Sequence, residues 1–373
     1  MRLNYVLAPS REESRHFPRI HYFGEKYVYE RAKKKYEVNI IFKQLSGSRL
    51  NSILMWWLMY PHHVKKSIMD DDINHFFGNT AYLLSYINPK YSIVTLYDVG
   101  ALHLKHYNLP KLLFSKDYGR LNNVLLFRLG IKSLKRARRI ITISKYSKND
   151  IVNSLGYPAE KVVVAYFGVD PYFKELENKE EVKRRIRQEY KCEGKKIILY
   201  VGTENPRKNI PTLIKAFYKL KKDFKDIVLF KVGPENPNSG LRDLVSSLNL
   251  ENDVRFIGQK SGEELVYFYN AADVFCFPSY FEGFGLPPLE AMACGCPVVT
   301  TNKTSIPEVV GDAAIKLNDP FDVDLLAKAL REVLTNADMQ ENMRKKGLKR
   351  AKLFTWDKYA DTIMKVYEKI TKE

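Results

Sequence analysis

The sequence predicts an α/β protein with two doubly wound parallel sheets. Three observations support this: short β-branched runs alternate with helical segments, 373 residues suffice for two domains, and the composition changes after Asp170-Pro171. Hydrophobic residues make up 45% of the chain and charged residues 28%, which is typical of a folded globular protein and argues against global disorder.

The first half contains five predicted strands with helical segments between them. The strands cover 3–7, 38–42, 93–96, 139–143 and 162–165, and the clearest helices cover 118–138 and 145–155. Residues 101–116 are predicted to form a long loop. The apolar run 53–60 is too short to cross a bilayer and predicts a core helix or an interfacial one.

The second half alternates more regularly. A Lys- and Glu-rich linker with a solvated helix covers 174–196. Strands are predicted at 197–201, 227–232, 254–257, 274–277, 298–300 and 313–316, with helices between them and three helices after the last. We predict Rossmann-like domains at 1–172 and 173–355 and a final helix within 356–373. Doubly wound sheets bind ligands at the carboxyl ends of their strands.

Positive charge is concentrated in the first half. The chain has a net charge of +18, and residues 1–170 hold about 27 Lys and Arg against about 13 Asp and Glu. Such a surface favours an anionic partner: a membrane, a phosphorylated acceptor or nucleic acid, with solubility alone as the simpler explanation.

The four cysteines and the first residues of the chain predict a reducing, cytoplasmic environment. No Cys-x-x-Cys pair occurs, so we expect buried thiols and no metal site. The sequence starts directly with a strand-like run followed by charged residues, which does not resemble a signal peptide.

The segment 277–290, F-P-S-Y-F-E-G-F-G-L-P-P-L-E, carries the strongest functional signal. A strand ends, glycines allow close approach of a ligand to the backbone, and two prolines open a helix predicted at 288–293, with Glu290 in its first turn. Free N–H groups at a helix start favour an anion, and carboxylates such as Glu282 can hydrogen-bond sugar or ribose hydroxyls.

A second segment, 202–209, reads G-T-E-N-P-R-K-N and also links a strand to a helix. Arg207 offers a bidentate fork to phosphate oxygens, and Lys208 a compact charge. Two such cations beside a helix start suit a departing diphosphate, whose negative charge they would stabilise. Taken alone, the pair would be solvated surface charge.

In these motifs the chain resembles the retaining glycosyltransferases of family 4. That family has the GT-B fold, in which two Rossmann-like domains face each other across a cleft. Glu282 and Glu290 match the E-x7-E pair of that family, and Arg207-Lys208 its basic pair. Residues 166–170, Y-F-G-V-D, resemble its hinge segment, and 141–147 its strand-to-helix turn. The resemblance covers 139–373 and is weaker before that.

The resemblance implies roles for individual residues. Glu282, Arg207 and Lys208 would be catalytic, acting on the donor sugar and its diphosphate without a metal or cofactor. Glu290 would bind the ribose, and the last helix would pack back on the N-terminal domain. The remaining donor-binding residues would be Phe284, Gly285, Leu286, Gly202, Thr203 and Gly233.

Three departures from the family pattern limit what carries over. Thr203 stands where many relatives have a cation, and Tyr97-Asp98 where many have His-Asp, so an acceptor-side role for Tyr97 and Asp98 competes with a turn-capping role for Asp98. Residues 8–11, A-P-S-R, replace the Gly-Gly loop that often follows the first strand.

The expected function is transfer of a hexose, of mannose or glucose type, from a GDP- or UDP-sugar to a glycan, lipid-linked or other acceptor, with retention. Peripheral contact with an anionic membrane at its inner face is a further expectation. One alternative is another GT-B enzyme, such as a nucleotide-sugar epimerase or a phosphorylase. A nucleic-acid-binding protein is disfavoured because the basic cluster 132–139 contains no aromatic residue. Asp322-Val323-Asp324 is explained as a helix cap rather than a metal site.

Overall fold

A computed structural model describes residues 2–7, 19–41, 59–100 and 129–372. The chain divides into two compact units. Unit 1 comprises Met1–Gly168 together with Trp356–Glu373, and unit 2 comprises Val169–Thr355. The predicted loop 101–116, residues 118–128 of a predicted helix and most of the apolar run 53–60 lie outside the described residues.

Unit 1 contains one parallel six-stranded sheet, in the order β2-β1-β3-β4-β5-β6. Its described strands and helices, in chain order, are β1 (Arg2–Val6), α1 (Arg19–Ala32), β2 (Glu37–Ile41), α2 (Tyr60–Ser67), β3 (Ile73–Phe77), β4 (Tyr91–Thr95), β5 (Arg139–Thr142), α3 (Lys145–Leu155) and β6 (Val162–Val164). Residues 129–133 are helical, and Gly78–Ser85 and Leu134–Arg136 form 3₁₀ turns.

Strand β3 lies at the centre of this sheet, and the sequence did not predict it. Its sequence, I-N-H-F-F, interrupts the apolar run with two polar residues, although all five are buried. Hydrogen bonds between side-chain amides satisfy Asn74: Asn39 donates to Asn4, and Asn4 donates to Asn74 at 2.9 Å. These three residues are register partners on β2, β1 and β3. This ladder of side-chain amides therefore explains why polar residues occupy positions that are usually apolar in a central strand.

Unit 2 contains a second parallel six-stranded sheet, in the order β12-β11-β10-β7-β8-β9. Its elements are α4 (Lys179–Glu189), β7 (Lys196–Val201), α5 (Ile210–Asp223), β8 (Ile227–Val232), α6 (Leu241–Ser247), β9 (Val254–Gly258), α7 (Gly262–Ala271), β10 (Val274–Phe277), α8 (Leu286–Ala293), β11 (Val298–Thr301), α9 (Ile306–Val310), β12 (Ala314–Leu317), α10 (Val323–Thr335) and α11 (Ala337–Ala351). Every predicted strand of this half is present.

The strand order of unit 2 reverses between β7 and β10. The chain runs outward through β8 and β9, then returns to the other side of β7 to add β10, β11 and β12. Because β7 and β10 are parallel neighbours, the loops that follow them lie side by side at the carboxyl edge of the sheet. In open α/β sheets ligands bind at such a switch point.

The last helix, α12 (Trp356–Ile370), belongs to unit 1. Arg31 of α1 forms 3.0 Å ion pairs with Asp357 and Asp361. Inside the unit, Tyr367 of α12 lies 2.6 Å from His75, whose other ring nitrogen lies 2.7 Å from Thr95 Oγ1. Among the described helices, none combines the length and apolar composition that crossing a bilayer would need.

The two smaller predictions about capping and cysteines agree with the structure. Asp322 caps α10, accepting a hydrogen bond from the Leu325 amide at 2.9 Å. All four cysteines are buried and unpaired, and burial raises the pKa of Cys296 to about 12. Such thiols are protonated and contribute packing rather than reactivity.

Candidate active site

Arg207, Lys208 and Glu282 converge at the switch point of unit 2. The two cations follow β7 in a 3₁₀ turn, Pro206–Lys208, and Glu282 follows β10. Sequence analysis chose both loops, and the structure brings their side chains into direct contact.

Glu282 is held by both cations and by a hydroxyl. Its Oε2 accepts from Arg207 Nη1 at 2.7 Å, and its Oε1 accepts from Lys208 Nζ and from Ser279 Oγ, each at 2.6 Å. Arg207 Nη1 also donates to the Phe281 carbonyl at 2.8 Å. Glu282 is 7% exposed and Lys208 8%. Lys208 and Glu282 are therefore buried and Arg207 is partly exposed, so these charges do not form the solvated surface pair of the simpler interpretation.

Burial and pairing act in opposite directions on these ionisable groups. Burial raises the pKa of Glu282, but the charges of Lys208 and Arg207 lower it by more than burial raises it, so the net shift is downward. Burial lowers the pKa of Lys208, an effect that Glu282 only partly offsets. The cluster of Arg207, Lys208 and Glu282 thus contains two cations and one carboxylate.

Asn209 sets the path of the chain between the two cations and α5. Its backbone is left-handed, with φ of 55°, a conformation that asparagine tolerates better than most residues. Its side-chain amide donates to the carbonyls of Pro278 and Pro320, at 3.3 and 2.6 Å, and its oxygen accepts from Thr212. Asn209 thereby joins the loop after β7 to the loop after β10.

Hydroxyl groups from the β11–α9 loop fix the backbone around Glu282. Thr304 Oγ1 accepts from the Glu282 amide at 3.0 Å, and Ser305 Oγ donates to the carbonyls of Glu282 and Phe284, both at 2.8 Å. Sequence analysis missed Ser279, Thr304 and Ser305 as site residues, because nothing in their local sequence marks hydroxyls that contact a distant loop.

Helix α8 starts two residues earlier than predicted, which changes the position of Glu290. The helix begins at Leu286, so Glu290 is its fifth residue and the prediction of a first-turn position was wrong. Pro287 and Pro288 lack N–H groups, and the free amides of this helix start are accordingly fewer than in an ordinary one. Glu290 is half-buried and its Oε2 accepts from Tyr269 Oη at 2.9 Å.

Gly202 and Gly233, both predicted to bind donor, are also required by the packing of the sheet. A Cβ on Gly233 would lie 2.2 Å from the Gly202 carbonyl oxygen, and one on Gly202 would lie 2.7 Å from Tyr200 Oη. The two strand ends thus approach at backbone distance. Thr203, next to them, is exposed, and its carbonyl accepts from Tyr200 Oη at 3.1 Å.

The other predicted donor contacts come from the turn into α8. Gly285 has a φ of 113° and forms the N-cap, and Leu286 is partly exposed at the first helical position. The ring of Phe284 is 3% exposed and packs against Phe354 at a centroid distance of 5.8 Å. The side chain of Phe284 is therefore part of the core and not of a ligand-facing surface.

Tyr97 and Asp98 lie in unit 1, after β4. The Asp98 carboxylate accepts from the Gly100 amide at 2.9 Å, which is the turn-capping contact. Tyr97 packs against Phe167 at a centroid distance of 5.6 Å. This hydrogen bond supports the turn-capping role of Asp98. The acceptor-side role of Tyr97 and Asp98 stays a prediction.

Two family models match the chain. Residues 6–173 match Glycosyltransferase Family 4, and residues 182–350 match Glycosyl transferases group 1. The boundary between the two matches lies close to the composition change after Asp170-Pro171.

Several curated relatives are mannosyltransferases. The O-antigen chain mannosyltransferase B of Escherichia coli is 35% identical over 239 residues, which are 64% of this chain and 62% of that protein. The MMP alpha-(1->4)-mannosyltransferase of Mycolicibacterium hassiacum is 31% identical over 62% of this chain and 54% of its own length. The matched part thus spans less than two thirds of each of these two relatives.

Solved structures show the same fold over nearly the full length. WaaG, a glycosyltransferase involved in lipopolysaccharide biosynthesis, superposes with a TM-score of 0.73 at 17% identity, covering 97% of this chain and 98% of that one. Alr3699/HepE of Anabaena, solved with UDP and glucose, gives a TM-score of 0.74 at 17% identity over 99% and 100%. With both halves matched by family models and the fold shared throughout, the chain belongs to the GT-B glycosyltransferases of the family 4 type.

Proposed function

We propose that the chain transfers a hexose, in the first instance mannose, from a nucleoside diphosphate sugar to a glycan or lipid-linked acceptor, with retention at the anomeric carbon. The observation that carries the proposal is the buried cluster of Glu282, Lys208 and Arg207 at the switch point of unit 2. A purely structural ion pair would not need two cations converging on one carboxylate at a ligand-binding edge.

In this proposal the cations act on the leaving group. Arg207 and Lys208 bind the diphosphate and stabilise the negative charge that develops as the bond from the sugar to phosphate breaks. No metal is required, because fixed cations supply this charge. Glu282 orients both cations through its two oxygens, and its backbone segment, with the amides of Gly285 and Leu286, borders the sugar.

Glu290 is proposed to bind the ribose hydroxyls of the donor. Its Oε2 accepts a hydrogen bond from Tyr269 Oη at 2.9 Å, which fixes the side chain on a half-buried helix next to the loop of Glu282. A ribose diol presents two donors to such a carboxylate whichever base the nucleotide carries. GDP and UDP therefore both remain candidates for the donor.

The choice of mannose rests on the names of several curated relatives, and nucleotide-sugar use is consistent with the UDP complex of HepE. The basic first half suits an acceptor or membrane surface with negative charge. Lys65 and Lys66 of α2 are exposed, as are Lys132, Lys135 and Arg138. We propose peripheral contact with an anionic membrane through this charge.

Donor binding is tested by calorimetric titration of the full chain with GDP-mannose and UDP-glucose. We expect one of them to bind, and Glu290→Gln to weaken that binding about tenfold or more, the order expected for a lost charge-assisted hydrogen bond. Glu263→Gln, an exposed glutamate of the same unit, serves as control. No binding of either donor by the folded wild type would contradict the proposal.

Transfer and membrane contact need separate assays. Incubation with the bound donor and a mannose-containing acceptor, followed by NMR of the anomeric proton, should yield an α-linked product, as retention requires for an α-linked donor. Conversion of the donor sugar without transfer would instead favour an epimerase. Sedimentation with anionic vesicles at low salt should carry the chain down, and neutral vesicles should not.

A further inference from the structure

A second buried ion pair lies beside the proposed donor site, and it consists of Lys231 and Glu204. Lys231 is in β8 and is 2% exposed; its Nζ lies 2.6 Å from Glu204 Oε1, and the Glu204 side chain is likewise 2% exposed. Glu204 follows β7, three residues before Arg207. Neither residue was assigned a role from the sequence, where Lys231 stands within an otherwise apolar strand.

Lys231 also forms hydrogen bonds with the neighbouring loop. Its Nζ donates to the carbonyls of Gly233 and Pro234, at 3.1 and 2.8 Å. Glu204 Oε2 in turn accepts from the Asn236 amide at 2.9 Å. One pair of side chains thus joins the loop that carries Arg207 and Lys208 to the loop after β8.

Stability alone gives no reason for this pair. Lys231 is the register partner of Tyr200 and of Phe256, so an apolar residue would fit between them. Burying two charges costs several kcal/mol, and exchanging such a pair for apolar residues is often neutral or stabilising. Unlike an apolar side chain, the pair fixes the loop after β7 against the loop after β8.

The loop after β7 needs such a support. Thr203, Asn205 and Pro206 are exposed, so apolar packing does not hold this segment. At the end of this loop, Arg207 and Lys208 contact Glu282. Nearer its start, Glu204 is the only acidic residue in the loop 202–209. A shift of about 1 Å in a positioning segment can cost a factor of 100 in rate.

We propose that Lys231 and Glu204 are positioning residues that set the placement of Arg207 and Lys208 for the donor diphosphate. The inference rests on the proposed function, since it assumes that these two cations bind the diphosphate. Lys231 itself is not a phosphate ligand, because its buried Nζ lies against Glu204 and donates to the carbonyls of Gly233 and Pro234.

The test compares two charge-neutral double variants. Lys231→Met/Glu204→Gln removes the pair and keeps an acceptor for the Asn236 amide. Arg187→Met/Asp273→Asn removes a 2.9 Å ion pair whose side chains are 18% and 16% exposed, in the same unit but at the amino end of the sheet. Binding of UDP, UMP, GDP and GMP is measured by calorimetry on each full-length variant.

We expect the first variant to lose diphosphate affinity by about 10- to 100-fold, with a much smaller loss for the monophosphate, because the loop carries the cations assigned to the diphosphate. The control should bind as wild type. Equal losses for both nucleotides, or none in a folded protein, would overturn the inference. Should the double variant not fold, Glu204→Gln alone gives the same comparison. A wild type that bound neither UDP nor GDP would refute the proposed function and this inference with it.

Discussion

Replacing Glu282 by glutamine removes the negative charge that lies 2.7 Å from Arg207 Nη1 and 2.6 Å from Lys208 Nζ. The amide keeps the size of the side chain and one acceptor oxygen, so packing is preserved. The change therefore isolates the electrostatic contribution of the cluster to the stability of unit 2.

The magnitude follows from the exposure of each cation. Lys208 has a side chain that is 10% exposed, and leaving a buried charge without its partner costs about 3–5 kcal/mol. Arg207 is 28% exposed, so water screens it and its share is below about 1 kcal/mol. For a unit of this size, about 3–5 kcal/mol corresponds to a fall of roughly 6–20 °C in Tm.

Differential scanning calorimetry of the full chain measures this fall in the transition of unit 2. The double variant Glu282→Gln/Lys208→Met should be more stable than Glu282→Gln alone, because it removes the unpaired charge as well. Asp324→Asn, in a surface ion pair whose aspartate is 77% exposed, is the control and should shift Tm little. A Glu282→Gln variant as stable as the control would refute the reasoning.

The same cluster predicts a dependence on pH. The pKa of Glu282 is lower in the folded state than its ordinary value of 4.5, so the unfolded chain binds the proton first. The stability that the carboxylate contributes is therefore complete above pH 4.5 and is lost as the pH falls through the folded pKa. We expect the difference in Tm between wild type and Glu282→Gln to shrink over that range, and a constant difference would contradict the assignment.

Three further predictions concern other positions. Gly233→Ala should lower the free energy of unfolding by about 3 kcal/mol or more, because its Cβ would lie 2.2 Å from a backbone oxygen. Gly156→Ala, at a φ of 60° with open space around it, should lower it by about 1–2 kcal/mol. Urea denaturation measures both changes. Burial lowers the pKa of His75 from 6.5 to about 3, so the chain should lose stability as the pH falls from 6.5 towards 3, and His75→Gln should lose less over the same acid titration. Asn209→Ala should cost about 2–4 kcal/mol, by the same denaturation measurement, through its lost hydrogen bonds and left-handed backbone.

The sheet of unit 2 could be predicted strand by strand because its strands are short apolar runs, and four of the six end at or just before a glycine or proline. In unit 1 the pattern was harder to interpret, and β3 was missed. Asn74 and His75 make that strand look like a loop, and only their partners on other elements, Asn4 and Tyr367, make the two polar residues compatible with burial. Such long-range pairing leaves no mark on the local sequence.

The convergence of the charged residues of the candidate site was predictable, whereas the residues that support them were less so. Arg207, Lys208 and Glu282 follow strands in recognisable loops, so their convergence follows from the topology. The sequence predicts Glu290 in the first turn of its helix, because prolines commonly open a helix. The structure starts this helix at Leu286, so Glu290 lies in the second turn. Lys231 was read as part of an apolar strand, since a single lysine inside such a run gives no indication of its buried partner.

The central claim is that unit 2 binds a nucleoside diphosphate through Arg207, Lys208 and Glu290, and a crystal structure of the full chain with the bound nucleotide tests it most directly. We expect phosphate oxygens within about 2.7–2.9 Å of Arg207 and Lys208 nitrogens, and a ribose hydroxyl on Glu290. A nucleotide bound elsewhere, or bound here while neither cation contacts phosphate, would contradict the account.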